Sequence, residues 1–181
     1  MAGTTDVYTK FTGSTTIGDT SYNIHEDAAN GYLYLGRSGA ALTNGQIAHD
    51  YEVITSNGDA QTSQIILKAR VAANSNLDLQ TNSTNIRVPN NGMIGFEAHF
   101  VASETTTLTS TFIKAEGAVK NTGSAAFVGT GVTFFYVAED TAGLHQLSVS
   151  VSGTDVVFTF KNTGNATANG VCYVRYTQTF F

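Results

Sequence analysis

Four places in this chain bring together side chains that could do chemistry. His25-Glu26-Asp27 sets three metal-ligating residue types side by side. Neighbours along a strand point to opposite faces, so at most two of the three converge, and two ligands do not make a zinc site. We expect a solvated turn there. Glu139-Asp140 is a carboxylate pair, the residue type that runs glycoside hydrolysis when two acids face each other across a cleft. Adjacent acids at a strand end instead form a turn with Asx-type hydrogen bonds. His49-Asp50, His99 and His145 are the remaining groups that titrate near neutral pH, and no Gly-x-Ser-x-Gly elbow supplies a nucleophile for them. Gly129-Thr130-Gly131 lacks the Lys and the helix of a phosphate loop and reads as a turn. No His-Glu-x-x-His, Cys-x-x-Cys or calcium-loop pattern is present. The residues thus imply no catalytic set, no metal and no cofactor.

The elements that carry these residues are strands. Period-two alternation sets Ile65, Leu67 and Ala69 against Lys68 and Arg70, and Ile94, Phe96, Ala98 and Phe100 against Glu97 and His99. It sets Leu147, Val149 and Val151 against Ser148 and Ser150, and Val156, Phe158 and Phe160 against Val157 and Thr159. The last run alternates Tyr173 and Arg175 with Cys172, Val174 and Tyr176. The runs are β-branched and aromatic, as a pleated, half-buried surface requires. Turn chemistry separates them at Asn30-Gly31, Asn44-Gly45, Asn57-Gly58-Asp59, Pro89-Asn90-Asn91-Gly92, Ser152-Gly153 and Asn169-Gly170. Short strands at this spacing predict an antiparallel β-sandwich or barrel. No segment keeps helical periodicity for three turns; one or two short helical turns are expected at most, and Thr43 to Tyr51 is the best candidate.

Composition narrows the function. Only 13% of the 181 residues are charged, against a usual quarter or so, and Thr, Ser, Asn and Gly take their place. The net charge of -5, with no Lys/Arg cluster, argues against nucleic acid as a partner. No apolar run reaches the roughly 20 residues of a membrane helix. The opening Met-Ala-Gly-Thr-Thr-Asp is unlike a secretory signal, so synthesis in a cytoplasm is expected. The single cysteine, Cys172, lies in an apolar run and reads as a buried small hydrophobe. Asn82-Ser83-Thr84 and Asn165-Ala166-Thr167 are chance matches to the glycosylation pattern.

Two groups of apolar residues have no obvious local core. Val7, Tyr8, Phe11, Ile17, Tyr22 and Ile24 lie in a Gly- and Thr-rich stretch, residues 1–56, that reads as an arm or a few short strands. Phe134-Phe135-Tyr136 puts aromatics on both faces of one strand, and the chain closes on Phe180-Phe181. An aromatic on the outer face of a sheet is commonly covered by a second subunit. Sugar stacking is the competing use, weakened by the absence of Trp.

Residues 57–178 resemble a domain of bacteriophage virion-surface and tail-fibre proteins. The pattern starts at Gly58-Asp59-Ala60-Gln61-Thr62-Ser63 and runs into the strand Gln64 to Arg70. Val88-Pro89-Asn90-Asn91 leads into Ile94-Gly95-Phe96. Lys114-Ala115-Glu116-Gly117-Ala118-Val119-Lys120 is similar to the family's Glu-Gly-x-Ile-Lys segment. Phe127-Val128-Gly129-Thr130 precedes Val137-Ala138-Glu139-Asp140, and a final strand carries Tyr173 and Arg175. Where the family has Trp, this chain has Phe or Tyr. The 56 residues before the domain are too few for a long shaft, which suits a compact decoration, a knob or a short appendage as well as a fibre tip.

The resemblance implies a jelly-roll-like sandwich over residues 57–181, a homotrimer and a structural or adhesive role without catalysis. The expectation is a trimeric accessory protein on the capsid or tail of a phage, located on the virion and made in the host cytoplasm. Its partners are itself and the major capsid or tail proteins, with no nucleic acid and no membrane insertion. Docking onto the particle would use Val7, Tyr8, Phe11, Ile17, Tyr22 and Ile24, and contact between subunits Phe134, Tyr136, Phe180 and Phe181. The alternative is a receptor-binding tail fibre protein that recognises host surface glycans.

Overall fold

The computed structural model describes residues 15–17, 23–27, 32–36, 46–50 and 60–180, and these contain no helix. Four short strands come first: β1 (Thr15–Ile17), β2 (Asn23–Asp27), β3 (Tyr32–Gly36) and β4 (Ile47–Asp50). Then follow β5 (Ala60–Val71), β6 (Ser75–Leu79), β7 (Ile86–Arg87), β8 (Gly92–Glu104) and β9 (Ser110–Asn121). The last four are β10 (Ala125–Glu139), β11 (His145–Ser152), β12 (Asp155–Asn162) and β13 (Ala168–Phe180).

They form two sheets. The larger has the order β1-β2-β3-β4-β5-β13-β8-β9-β10, and the smaller β11-β12-β6, with β7 also on β12. The pairing is nested in the manner of a jelly roll: the outermost strands of the sandwich pair with each other, β5 with β13 and β6 with β12. β8, β9 and β10 then run as a plain meander within the larger sheet. All pairs are antiparallel except β3 with β4.

The alternation read from sequence decides which face each residue takes. On β8 and β13 every second residue is buried along nearly the whole strand. Ile94, Phe96, Ala98 and Phe100 meet Val156, Phe158 and Phe160 of the opposite sheet. The sheets interlock through edge-on rings, Phe96 with Phe158 at 5.4 Å and Phe100 with Phe160 at 5.1 Å. Each such side chain contributes about 1.5–3 kcal/mol of burial.

Two buried asparagines hold the ends of the sandwich. The chain crosses between sheets three times at one end, from β10 to β11 and, side by side, from β5 to β6 and from β12 to β13. Asn162 sits between the latter two, and its amide donates to the carbonyls of Val71 (3.3 Å), Ala72 (3.2 Å) and Ala166 (2.7 Å). Its side-chain oxygen accepts from the Gly164 amide at 3.0 Å. Asn121 does the same work at the opposite end, donating to the Val88 carbonyl at 3.1 Å and accepting from the Gly123 amide at 3.0 Å. Loops with several backbone groups to satisfy are secured here by one amide side chain each.

Four expectations need correcting. Asn169-Gly170 is not a turn but part of β13. Gly170 is there because Phe160 and Phe100 pack against the strand, and a Cβ would lie 2.6 Å from Phe160 Cδ1. Gly129-Thr130-Gly131 is not a turn either. It is a bulge inside β10, with positive φ at both glycines and a register shift between Phe127 and Val132. His25-Glu26-Asp27 lies in β2 and pairs with both β1 and β3. Ile47–Asp50, in the one stretch with a helical signal, is strand β4, because it finds an edge to pair with on β5.

Candidate functional site

The outer face of the larger sheet is the surface best furnished with functional groups. Register places its residues in rows across β5, β13, β8, β9 and β10. One row runs Lys68, Val171, Val101, Phe112, Ala138, and the next Ile66, Tyr173, His99, Lys114, Phe135. A third runs Gln64, Arg175, Glu97, Glu116, Thr133. Ile66, Val101, Val171 and Tyr173 are all exposed here, Ile66 by 59%. Scattered exposed apolar residues are ordinary, but four on adjacent strands form a patch.

Beside the apolar residues lies a charge network. Lys114 Nζ donates to Glu97 Oε1 at 2.9 Å and to Glu116 Oε1 at 2.8 Å, and His99 Nε2 lies 2.9 Å from Glu97 Oε1. The hydrogen bond from Lys114, then that from His99, holds the Glu97 carboxyl below its ordinary range. The bonds to Glu116 and then Glu97 push the Lys114 ammonium up. The lysine also stands 5.7 Å from the centre of the Phe135 ring. Glu97 and Glu116 are therefore a facing carboxylate pair, but one neutralised from within. A general acid needs a raised carboxyl, and Glu97 is shifted the other way.

Two hollows open on this face. One, of about 370 Å³, is lined by Ile47, Gln64, Ile65, Ile66, Lys68, Thr81 and Tyr173. It lies beside Ile47, the first residue of β4 and the partner of Gln64, before the next bridge on that edge, Lys68 with Gln80. The Tyr173 hydroxyl donates to Gln64 Oε1 at 2.9 Å, which leaves the Gln64 amide nitrogen as a donor and steadies the ring. The second hollow, of about 420 Å³, is more polar and is lined by Glu97, Glu116, Thr133, Arg175 and Thr177 among others.

The residues singled out from sequence fall in several places. Phe134 and Tyr136 are exposed by 45% and 56%, although their Cα partners Ala115 and Ile113 on β9 are buried. β10 is the edge of the larger sheet, and the smaller sheet does not extend far enough to cover it. Phe135, on the other face, is exposed by 45% as well. Phe180 is partly buried at the end of β13, paired with Gly92. The row of Phe134 meets β13 at Val174. Phe180 is thus about 20 Å further along the strands, and these aromatics do not form one patch. Ile17 and Ile24 are Cα partners across β1 and β2. Val7, Tyr8, Phe11, Tyr22 and Phe181 lie outside the described residues, as do the turns at Asn30-Gly31, Asn44-Gly45 and Asn57-Gly58-Asp59.

The chemistry-bearing residues have structural partners. A turn follows β10 as expected, held by Glu139 Oε2 accepting from the Gly143 amide at 2.8 Å, but in place of the expected Asx-type bond Asp140 Oδ2 accepts from the Ser110 amide at the start of β9, also at 2.8 Å. His145 is buried against Phe160 with Nδ1 3.1 Å from the Thr111 hydroxyl, and burial lowers its pKa. The Cys172 thiol is pushed up to about 12 by burial, so it is inert in the folded chain. Among the described residues no three His, Cys, Asp or Glu side chains gather into a metal-binding group. Sequence reading missed the Tyr173 hollow and the Lys114 network. Lys68, Glu97, Tyr173 and Arg175 could be recognised as outward-facing, but nothing in the sequence says which strands are neighbours.

No family model and no curated protein matches the chain. Among solved structures it is similar to the tailspike protein gp49 from Acinetobacter baumannii bacteriophage Fri1, a capsular polysaccharide depolymerase. The match has a TM-score of 0.42 and 14% identity, and covers 66% of this chain and 18% of that one. The class defined by the fold is an all-β sandwich of two sheets.

Proposed function

We propose that this chain is a non-catalytic structural module of a bacteriophage particle, carried on the tail and used in attachment to the host surface. The observation that carries the reading is the open outer face of the larger sheet. It sets exposed apolar side chains, an aromatic ring and fixed charges on rigid strands, beside a hollow of ligand size. The sequence pattern over residues 57–178 supplies the phage context. Work is done by surface complementarity, since the facing carboxylates are tied to a lysine. The assembly is a homotrimer made in the host cytoplasm, with the exposed aromatics of β10 as subunit contacts.

Capsid decoration is the second reading. It draws on the short strands β1 to β4, which add one after another to the edge at β5 and would offer a docking surface to the particle. Electron microscopy of particles incubated with the tagged protein separates the two. Density at the tail, together with binding of the purified protein to host cells, supports attachment. Regular density over the capsid lattice without cell binding supports decoration. Binding to neither sinks both.

A further inference from the structure

The hollow at the β4–β5 edge has features that a subunit contact or a plain docking face does not require. Its apolar lining comes from Ile47, Ile65 and Ile66, and Tyr173, exposed by 37%, lines it as well. The hydroxyl of that tyrosine is committed to Gln64, so the ring is presented in a fixed orientation with an amide donor at its edge. Thr81, a hydroxyl-bearing residue, is also in the lining. An apolar ring face bordered by an amide and a hydroxyl suits a pyranose, whose C–H face stacks on an aromatic while its hydroxyls seek neutral hydrogen-bonding groups.

Charge narrows the class of sugar. The chain carries a net charge of -5, yet the side chain lining this hollow that bears a charge is a lysine. Lys68 holds no ion pair and no side-chain hydrogen bond among the described residues, in contrast to Lys114, which holds two carboxylates. Arg175, whose Cα partner is Gln64, lies two positions along β13 from Tyr173 and has no ion pair among the described residues. Tyr173 is therefore flanked along the sheet by two cations that hold no ion pair among the described residues, Lys68 at the hollow and Arg175 beside Glu97. The volume of about 370 Å³ is at the small end of ligand sites and suits one or two sugar rings.

We propose that this hollow binds a carboxylate-bearing sugar unit, with the ring stacked on Tyr173 and Ile66, a hydroxyl on the Gln64 amide and the carboxylate on Lys68. The site rests on the attachment reading for its biological setting, but its chemistry stands apart from where on the particle the protein sits. The test is calorimetric titration of the full chain with a trisaccharide of hexuronic acid, a neutral trisaccharide of matched linkage and an acidic peptide. The hexuronate should bind about tenfold more tightly than the neutral sugar, a gap that closes at high salt. Lys68→Gln should bring the hexuronate down to the neutral level, and Tyr173→Ala should weaken both by about tenfold or more. Both residues are exposed, so melting temperatures should stay as in the parent. Equal binding of acidic and neutral sugars, no hexuronate binding, or full binding by Tyr173→Ala overturns the proposal. Peptide binding as tight as the hexuronate's also overturns it and assigns the face to a protein partner. Loss of sugar binding with density still at the tail would leave the attachment reading intact. Sugar binding without any particle binding would sink that reading and leave the site.

Discussion

Strands β13 and β10 belong to the same sheet, are similarly long and are both rich in β-branched and aromatic residues, yet they treat those residues differently. On β13 burial alternates without a break from Ala168 to Gln178, so that Cys172, Val174 and Tyr176 are inside and Val171, Tyr173 and Arg175 outside. On β10 the consecutive residues Phe134, Phe135 and Tyr136 are all exposed. The difference is one of neighbours. β13 has β5 on one side, β8 on the other and the smaller sheet over its inner face. Among the described residues β10 pairs with β9 alone, and it reaches past the cover of β11. Alternation in sequence states which residues share a face. Whether that face is buried depends on what the rest of the chain places over it.

The comparison has measurable consequences. The largest concerns aromatic truncation. Phe158→Ala on β12 removes a fully buried ring that meets Phe96 edge-on, and should cost about 3–5 kcal/mol in denaturant unfolding. Phe134→Ala on β10 should stay within about 0.5 kcal/mol in the isolated subunit. A large loss at Phe134 under conditions where the protein is monomeric would show that β10 is packed after all. If the loss appears only at concentrations where subunits associate, the edge is the contact.

Next come the asparagines that secure the ends of the central strands. Asn162→Ala should cost roughly 1–3 kcal/mol, because it strips a buried donor from three carbonyls and an acceptor from the Gly164 amide. Amide hydrogen exchange should show the loss first in the loops on either side, at Ala72 and Gly164. Uniform loss across the molecule would mean that the clamp is no more local than the core.

A glycine pair within the centre sharpens the inner and outer faces. Gly170→Ala should cost about 1–3 kcal/mol, since the added methyl meets the Phe160 and Phe100 rings. Gly95→Ala on β8, where nothing lies within 4 Å of the new methyl, should be neutral or mildly stabilising in thermal melts. Equal effects would contradict the assignment of faces.

The smallest effect is that of pH. Burial lowers the pKa of His145, so the unfolded chain takes up a proton more readily than the folded one. Its contribution is present above the ordinary value of 6.5 and is lost as pH falls through that range toward the folded value. The melting temperature should decline below about pH 6.5 in the parent and less so in His145→Gln. Glu97 acts in a separate window. The lysine and the histidine that lower its pKa stabilise it above the ordinary 4.5, and that stabilisation is lost at more acid pH. Because Glu97 sits on the outer face, high salt should weaken its effect while leaving that of His145 in place.

Much of the fold was legible in the chain. Alternation in Ile94 to Phe100, Val156 to Phe160 and Cys172 to Tyr176 picked out the core residues, because side chains on a strand have a period of two whatever their surroundings. Ser152-Gly153 was readable as a turn, since a two-residue hairpin loop needs a residue that tolerates positive φ, and Gly153 adopts it. Asn169-Gly170 was not, because a glycine wanted for space looks the same in sequence as one wanted for conformational freedom. The site was the least legible part. Lys68, Gln64 and Tyr173 are more than a hundred residues apart at the extreme and meet only because β13 returns to lie beside β5.

By itself, then, the sequence determined that this chain is all-β, which residues alternate between faces, and that its surface would be neutral-polar with little charge. These follow from local periodicity and composition, which do not depend on how strands are ordered. The tertiary structure alone decided that β10 is an edge with its aromatics uncovered, that Lys114 joins two carboxylates, and that Tyr173 borders a hollow beside Lys68, which holds no ion pair among the described residues. Those are matters of strand order and register, set by closing loops over long separations and by burying the greatest apolar area, and no short window of residues contains them.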